Sequence, residues 1–453
     1  MLPESFLNSL NGLPGFDKES FVRVHELGEQ VTSIRINPAK PIDNRQHTLL
    51  NNTTPIPWCE QGSYLAARPS FVTDPLWHAG AYYVQEASSM FVQYILSQVM
   101  PHPEGKIALD LCAAPGGKST LIASHFKKGL VVANEIIKSR NAILTENITK
   151  WGSDHVVVTQ NDPSHFKAVP HFFDLMLIDA PCSGSGLFRK EPTAINEWSE
   201  ESVQHCSTRQ TRIVEDSIDA LKEGGFLIYA TCSYSFDEDE KMMDFIAAMP
   251  GMQNINLDPP AHWNIIKTDS PSHHAKGFRF YPNKLKGEGF FVTVFQKQYV
   301  ISRDYYDADF KWNGITKQDH AVLTAHFELP DNYILMSHQN TLLAIPAHFE
   351  QAIKGLLKNL YVKKLGVDIG VIKGKDLIPA HALAMSVWKH KPYDRINVGL
   401  ETALQYLRRN DLVLEGNRGW QAVCYQNIPL GWAKLLPNRS NNYYPSPWRI
   451  LKY

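Results

Sequence analysis

The sequence predicts an α/β protein with a mostly parallel, seven-stranded sheet in the middle of the chain and a smaller unit on either side. Three observations predict it. Apolar runs alternate with helical patterns between residues 107 and 297, as strands and crossover helices do in a parallel sheet. The chain has 453 residues, too many for one compact core, so about two to four domains are expected. The last stretch, 381–453, changes character: it holds ten Lys/Arg against four Asp/Glu, four tryptophans and six tyrosines.

The elements follow in order. Over 1–100 the signals are mixed, and FVRVHELGEQVTSIRINP reads as a helix feeding a strand in an α+β unit. IALDL (107–111) reads as a buried strand entering the turn CAAPGGK (112–118), with a helix near 118–126. LVVAN (130–134) is a second strand, ending at Glu135 and followed by an amphipathic helix to about Trp151. HVVVT (155–159) is the third, with Asp162 just beyond it. DLMLID (174–179) is the fourth, entering APCSGSGLFRKEP, with a helix near 207–222 after it. FLIYA (226–230) is the fifth, entering TCSYS, and GFRFYP and GFFVTVFQK (277–297) close the sheet. A helix is expected over 345–360, then short β-like pieces between Gly and Pro. The domains are therefore read as 1–100, 101–298, 299–380 (a further α+β unit or a linker) and 381–453.

Composition excludes several classes. No apolar run reaches the roughly 18 residues that span a bilayer, and MLPESFLNSL lacks a basic start before an apolar run, so a cytoplasmic protein without a membrane partner is expected. The six cysteines form no CxxC pair, which argues against both a zinc site and a disulfide framework; no metal is expected. Net charge is only -1, so a nucleic-acid partner is suggested locally, by the basic and aromatic tail. Phosphates meet cations and bases stack on rings there. The same composition also suits a small β-domain with a wet basic face.

Two constellations carry chemistry. In the first, Gly116 and Gly117 allow a ligand close to the backbone, and the helix that follows offers free N–H groups. Glu135, 23 residues after Cys112 at the end of the next strand, can take both hydroxyls of a ribose. Asp162 past the third strand can accept from an adenine amine. GGKS lacks the upstream glycine of a phosphate-binding P-loop, and no complete GxGxxG is present. A nucleoside with a short charged tail, such as S-adenosylmethionine, fits better than NAD or ATP. The turn alone would also suit an ordinary strand–turn–helix; the two acids favour a ligand.

In the second, Asp179, Pro181 and Cys182 follow strand four, and Cys232 follows strand five between Thr231 and Ser233. Carboxyl ends of adjacent strands share one crevice, so cysteines 50 residues apart in sequence can meet over one base. Singly, each is better explained as a small core residue. As a pair they suit covalent chemistry on a pyrimidine, in which a thiolate adds to C6 and C5 then accepts a methyl group. Cys59, Cys206 and Cys424 read as core residues.

DLCAAPGGKST, NEIIKSR, IDAPCSGSG and ATCSYS, in this order and spacing, resemble the motifs of the Nol1/Nop2/Sun family of RNA cytosine-C5 methyltransferases. YYVQEASSM (82–90) resembles the family's lead-in and FRFYPNKLKGEGFF (278–291) its closing motif. The resemblance implies a Rossmann-like S-adenosylmethionine-dependent domain, with Cys232 as the nucleophile and Cys182 as the cysteine that helps release the product. It matches Cys112, Ala113, Ala114, Pro115, Gly116, Gly117, Lys118, Glu135, Asp162 and Asp179 to cofactor positions. It further implies that Asp179 faces N3 and N4 of the base and that Lys118 touches the base or the cofactor carboxylate. The extension ending in NNYYPSPWRI resembles a bacterial branch with a PUA-like β-barrel for RNA binding, which implies 16S ribosomal RNA, in the small subunit near its decoding region, as partner. Transfer RNA as substrate, a small-molecule methyltransferase and a non-catalytic ribosome-assembly factor are the alternatives.

Overall fold

Five parallel strands lie where the apolar runs place them: β1 (Ile107–Asp110), β2 (Leu130–Asn134), β3 (Val156–Thr159), β4 (Phe173–Asp179) and β5 (Leu221–Thr231). Helices α1 (Gly117–His125), α2 (Lys138–Trp151) and α3 (Glu200–Ser217) connect them, and β6 (Lys276–Phe280) and β7 (Phe290–Lys297) follow. The computed structural model describes residues 2–43, 48–300, 305–326, 332–338, 340–388 and 393–451. The strand order is β3-β2-β1-β4-β5-β7-β6, with β7 antiparallel to both neighbours. β1 through β4 are buried almost throughout because helices cover both faces, which is why they read as unbroken apolar runs.

The sheet is larger than the expected seven strands. Ile266–Asp269 pairs with β6, Met252–Asn254 with β7, and Val362–Leu365 runs antiparallel to β3, giving ten. These additions are three or four residues long and sit at edges, too short for a period-two pattern to show.

Two helices differ from expectation. α3 starts before residue 207 because Ser199 caps it, its side chain accepting from Ser202 N at 3.0 Å while Ser202 Oγ returns the bond. The helix expected over 345–360 is shorter, Glu350–Asn359. Its first residues instead end the strand Thr341–Pro346, which pairs with Tyr333–His338 and so satisfies its backbone.

Around this domain stand three smaller sheets. Four strands between 33 and 84 form the first, preceded by the helix Lys18–Leu27, and five between 313 and 379 form the second. The third, four strands between 395 and 442, accords with a PUA-like unit. The carboxyl end of α2 ties the outer units to the sheet. Asn37 Nδ2 donates to Gly80 O and Trp151 O, Lys40 Nζ to Ala79 O and Lys150 O, and Val387 N to Gly152 O. Gly152 stands at φ +85°, and a Cβ there would lie 2.2 Å from Met385 O, so only glycine lets the two chains meet. Among the described residues no helix is long and apolar enough to cross a membrane.

Candidate active site

The order of the strands reverses between β1 and β4, and a crevice opens at their carboxyl ends. On one side lies the turn 112–116. Gly116 has φ +113°, a conformation L side chains avoid, and starts α1. Arg140 Nη2 donates to Ala114 O at 2.9 Å and Asn147 Nδ2 to Pro115 O at 2.8 Å, which hold the turn from α2. Asn134 at the end of β2 joins three strand ends: its Nδ2 donates to Leu111 O and Asn161 O, and its Oδ1 accepts from Thr159 Oγ1 and Asn161 N. That network brings Cys112, Glu135 and Asp162 to one cavity of about 730 Å³, which Ile136, Ile137 and Pro181 also line.

Carboxylates crowd the strand ends beside this cavity. Asp110, Asp179 and Glu135 all act on Cys112, whose thiol burial, and then these carboxylates, push far up. Asp110 is buried; its Oδ2 accepts from Ser119 Oγ at 2.6 Å, while its Oδ1 has no hydrogen-bond partner among the described residues. Burial drives its acid up to about 7, with Asp179 and Glu135 adding to the rise and the Ser119 bond opposing it. The cavity lining itself carries both signs, Glu135, Asp162 and Glu201 beside Arg140, Arg209 and Arg212. S-adenosylmethionine, with a sulfonium, an ammonium and one carboxylate, offers a partner to each sign.

The individual acids differ. Glu135 is buried against the cavity, with Oε1 accepting from Ile137 N at 2.9 Å and Oε2 3.6 Å from Arg140 Nη1. Asp162 reaches the cavity wall, but its carboxylate also caps the turn Pro163–Ala168 through Ser164 N and takes Arg212 Nη2 at 3.2 Å. Part of its acceptor capacity is therefore spent on the protein itself.

The cysteines stand on the other side. β4 and β5 are parallel neighbours with Asp179 level with Ala230, so the residues just past their ends emerge together. Gly186 N donates to Cys232 O at 2.8 Å, and a Cβ on Gly186 would lie 2.7 Å from that oxygen, which fixes glycine where the two loops touch. The Cys182 and Cys232 sulfurs approach to 2.7 Å. Cys182 is held well up as a thiol, first by its hydrogen bond with Cys232, then by burial and by the charges of Cys232 and Glu238. Lys118 Nζ donates to Asp179 Oδ2 at 2.7 Å and lies 5.3 Å from the Phe290 ring centre. Burial works to lower Lys118, but Asp179, helped by Asp110 and Cys232, outweighs it and the ammonium form is favoured.

The structure thus brings Cys232, Cys182, Asp179 and Lys118 to one place and the turn, Glu135 and Asp162 to the adjoining cavity. Cys59 and Cys424 are buried elsewhere, Cys59 donating to Gln93 Oε1, and Cys206 lies on α3. Asp110, Asn134, Gln210 and Glu238 were not visible as site residues. Asp110 is the last residue of β1 and Asn134 of β2, so strand ends were the available signal. Glu238 lies six residues past Cys232 with no periodicity to mark it.

The C-terminal sheet presents its cations outward. Arg395, Arg418 and Arg439 are exposed and pair with no carboxylate among the described residues. Trp420 lies under Lys434 at 5.4 Å and against Tyr443 at 4.5 Å, a half-open aromatic surface.

Comparison with known proteins finds relatives of the same fold. The family model described as 16S rRNA methyltransferase RsmB/F matches residues 97–296. Models of the RsmF N-terminal domain and the RsmF PUA domain match residues 2–87 and 394–450. A ribosomal RNA small subunit methyltransferase F of Shewanella amazonensis is 27% identical over 98% of this chain and 97% of that protein. Its namesake in Vibrio cholerae serotype O1 is 29% identical over 86% and 85%. A solved methyltransferase homolog from Pyrococcus horikoshii is 26% identical, with TM-score 0.51 over 65% of this chain and all of that one (100%).

Proposed function

The chain belongs to the RsmB/F family of 16S rRNA methyltransferases, and on that premise we propose that Cys232 and Cys182 divide the work of methylating C5 of a cytosine in 16S ribosomal RNA. The observation that carries this reading is the meeting of the two sulfurs at 2.7 Å beside the Lys118–Asp179 pair and the cavity that Glu135 and Asp162 line. We place the catalytic domain at 101–298, between an RNA-contacting unit over 1–100 and a PUA-like unit over 381–453, with a further α+β unit over 299–380. The substrate is the RNA of the small subunit, near its decoding region, and the setting is the cytoplasm.

S-adenosylmethionine, when bound, supplies an electrophilic methyl group; the turn 112–118 and Glu135 hold it, and Asp162 and Asp179 border it. The target base leaves its stack so that its face reaches the crevice. Cys232 as thiolate bonds to C6, and the ring's electron density shifts to C5, which takes the methyl group. Asp179, fixed by Lys118, faces N3 and N4, where charge develops.

Release needs a base for the C5 proton. While Cys232 is an anion, Cys182 keeps its proton. Once Cys232 is bonded to C6, the hydrogen bond and the charge that hold the Cys182 proton are gone, and Cys182 yields it to solvent. The Cys182 thiolate then takes the C5 proton, the C–H electron pair becomes the C5–C6 double bond, and Cys232 leaves as thiolate. The pair returns to its starting state, and one proton has passed to solvent for each methyl group transferred.

The test uses tritiated cofactor and 16S RNA. Cys232→Ala transfers no methyl and forms no adduct. Cys182→Ala forms an RNA-linked enzyme that persists as a slow band on a denaturing gel. An adduct from the Cys232 variant, or label on a base other than cytosine, overturns the reading.

A further inference from the structure

Glu238 is fully buried, and its carboxylate accepts four hydrogen bonds at the base of the two cysteine loops. Ser183 N donates at 2.9 Å and Ser183 Oγ at 2.5 Å, from the residue after Cys182. Ser233 Oγ donates at 2.6 Å, from the residue after Cys232. Gln210 Nε2 on α3 donates at 3.0 Å and at the same time holds Pro181 O, the residue before Cys182. Tyr229 OH on β5 closes the set, donating to Gln210 Oε1 and Glu238 O.

We propose that Glu238 is a positioning residue that holds the two sulfurs in register and strengthens Cys182 as the base of the release step. The proposal rests on the division of labour between the cysteines given above. One carboxylate bridges serines that neighbour the two sulfurs, so the distance between the sulfurs is set by a single side chain rather than by strand pairing alone. Such charge-assisted bonds are roughly twice as strong as neutral ones, and a buried carboxylate with its donors removed is costly.

Its charge sets both the strength of that base and the pH at which it forms. The groups facing Cys182 are Cys232 from the end of β5, Glu238 from the loop after it and the Gly184 N–H; Cys206 on α3 feels the same Glu238 and Cys232 charges. When Cys232 is bonded to C6, Glu238 is the named anion that still raises the proton affinity of Cys182. A stronger thiolate base takes the C5 proton faster, provided it has ionised.

The experiment follows decay of the covalent RNA adduct after a chase, as a function of pH, with full-length enzyme and 16S RNA. At pH above the midpoint, where Cys182 is ionised in both proteins, Glu238→Gln is expected to slow adduct decay by about tenfold, the loss of roughly one charge-assisted hydrogen bond, and to leave adduct formation within about threefold. The pH midpoint for decay moves down, because Cys182 ionises more readily without the neighbouring charge. A purely structural role would slow formation and decay alike and leave the midpoint in place, and that result overturns the proposal. Ser183→Ala keeps the charge and removes one bond, so it slows decay with the midpoint unmoved; normal decay in this variant also overturns the proposal, even if Glu238→Gln does not fold. Cys182→Ala runs alongside: if it forms no adduct, the division of labour fails rather than the role of Glu238.

Discussion

The two cysteine loops and the C-terminal sheet use polar and charged side chains in opposite ways. Around Cys182 and Cys232 nearly every such group is spent inside the protein. Glu238 takes four donors, Thr231 donates to Asp239, and Arg279 bonds Glu240 and the Tyr234 carbonyl. In the C-terminal sheet Arg395, Arg418 and Arg439 stand in water. The difference fits the role proposed for each region. Atoms that must meet to a fraction of an ångström need a saturated network around them. A polyanion is held by charges left free, because neutralising phosphates releases counterions and asks for no fixed geometry.

The largest effect is expected where the saturated network is cut. Arg279 is 1% exposed and bridges Asp239 and Glu240 behind the Cys232 loop. Arg279→Met leaves two carboxylates buried without their cation and lowers stability by about 3–5 kcal/mol, read in a denaturant titration. A loss below about 1 kcal/mol would show the network to be as dispensable as a surface ion pair.

Next comes the cofactor wall. Glu135→Ala weakens S-adenosylmethionine binding about 10- to 100-fold by calorimetry, as the loss of one charged hydrogen-bond partner does, with RNA affinity unchanged.

Where the C-terminal unit meets the N-terminal one sit His78, buried, and His381, half-buried with both ring nitrogens shielded from solvent. Burial first, then Lys150, with Lys40 also acting on His381, drives them from 6.5 down to about 3 and about 4. The unfolded chain takes up these protons below 6.5 and the folded chain does not, so the stabilisation is complete above 6.5 and fades as pH falls towards 4. Each histidine costs about 2 kcal/mol by pH 5, and His381→Phe flattens the profile of melting temperature against pH between those limits.

The smallest effects belong to the open charges. Arg418→Ala and Arg439→Ala each weaken RNA binding a few-fold and reduce the salt slope by about 1 between about 50 and 200 mM, with the methyl-transfer rate at saturating RNA unchanged. A change in that rate would mean that these arginines help to place atoms, and the contrast between the regions would blur.

Sequence alone determined the parallel sheet, because strands buried on both faces must be apolar through their middles, as LVVA and LMLI are. It also pointed to Cys232, Cys182, Glu135 and Asp179 as candidates, because each stands at or just after the end of such a run. Only the tertiary structure decided the rest. The edge strands, the orphaned oxygen of Asp110, the capping duty of Asp162 and the grip of Glu238 on two serines 50 residues apart depend on pairings between distant segments. Periodicity reports how one segment meets the core; it carries no record of which segment stands opposite, and hydrogen bonds between loops are set by that alone.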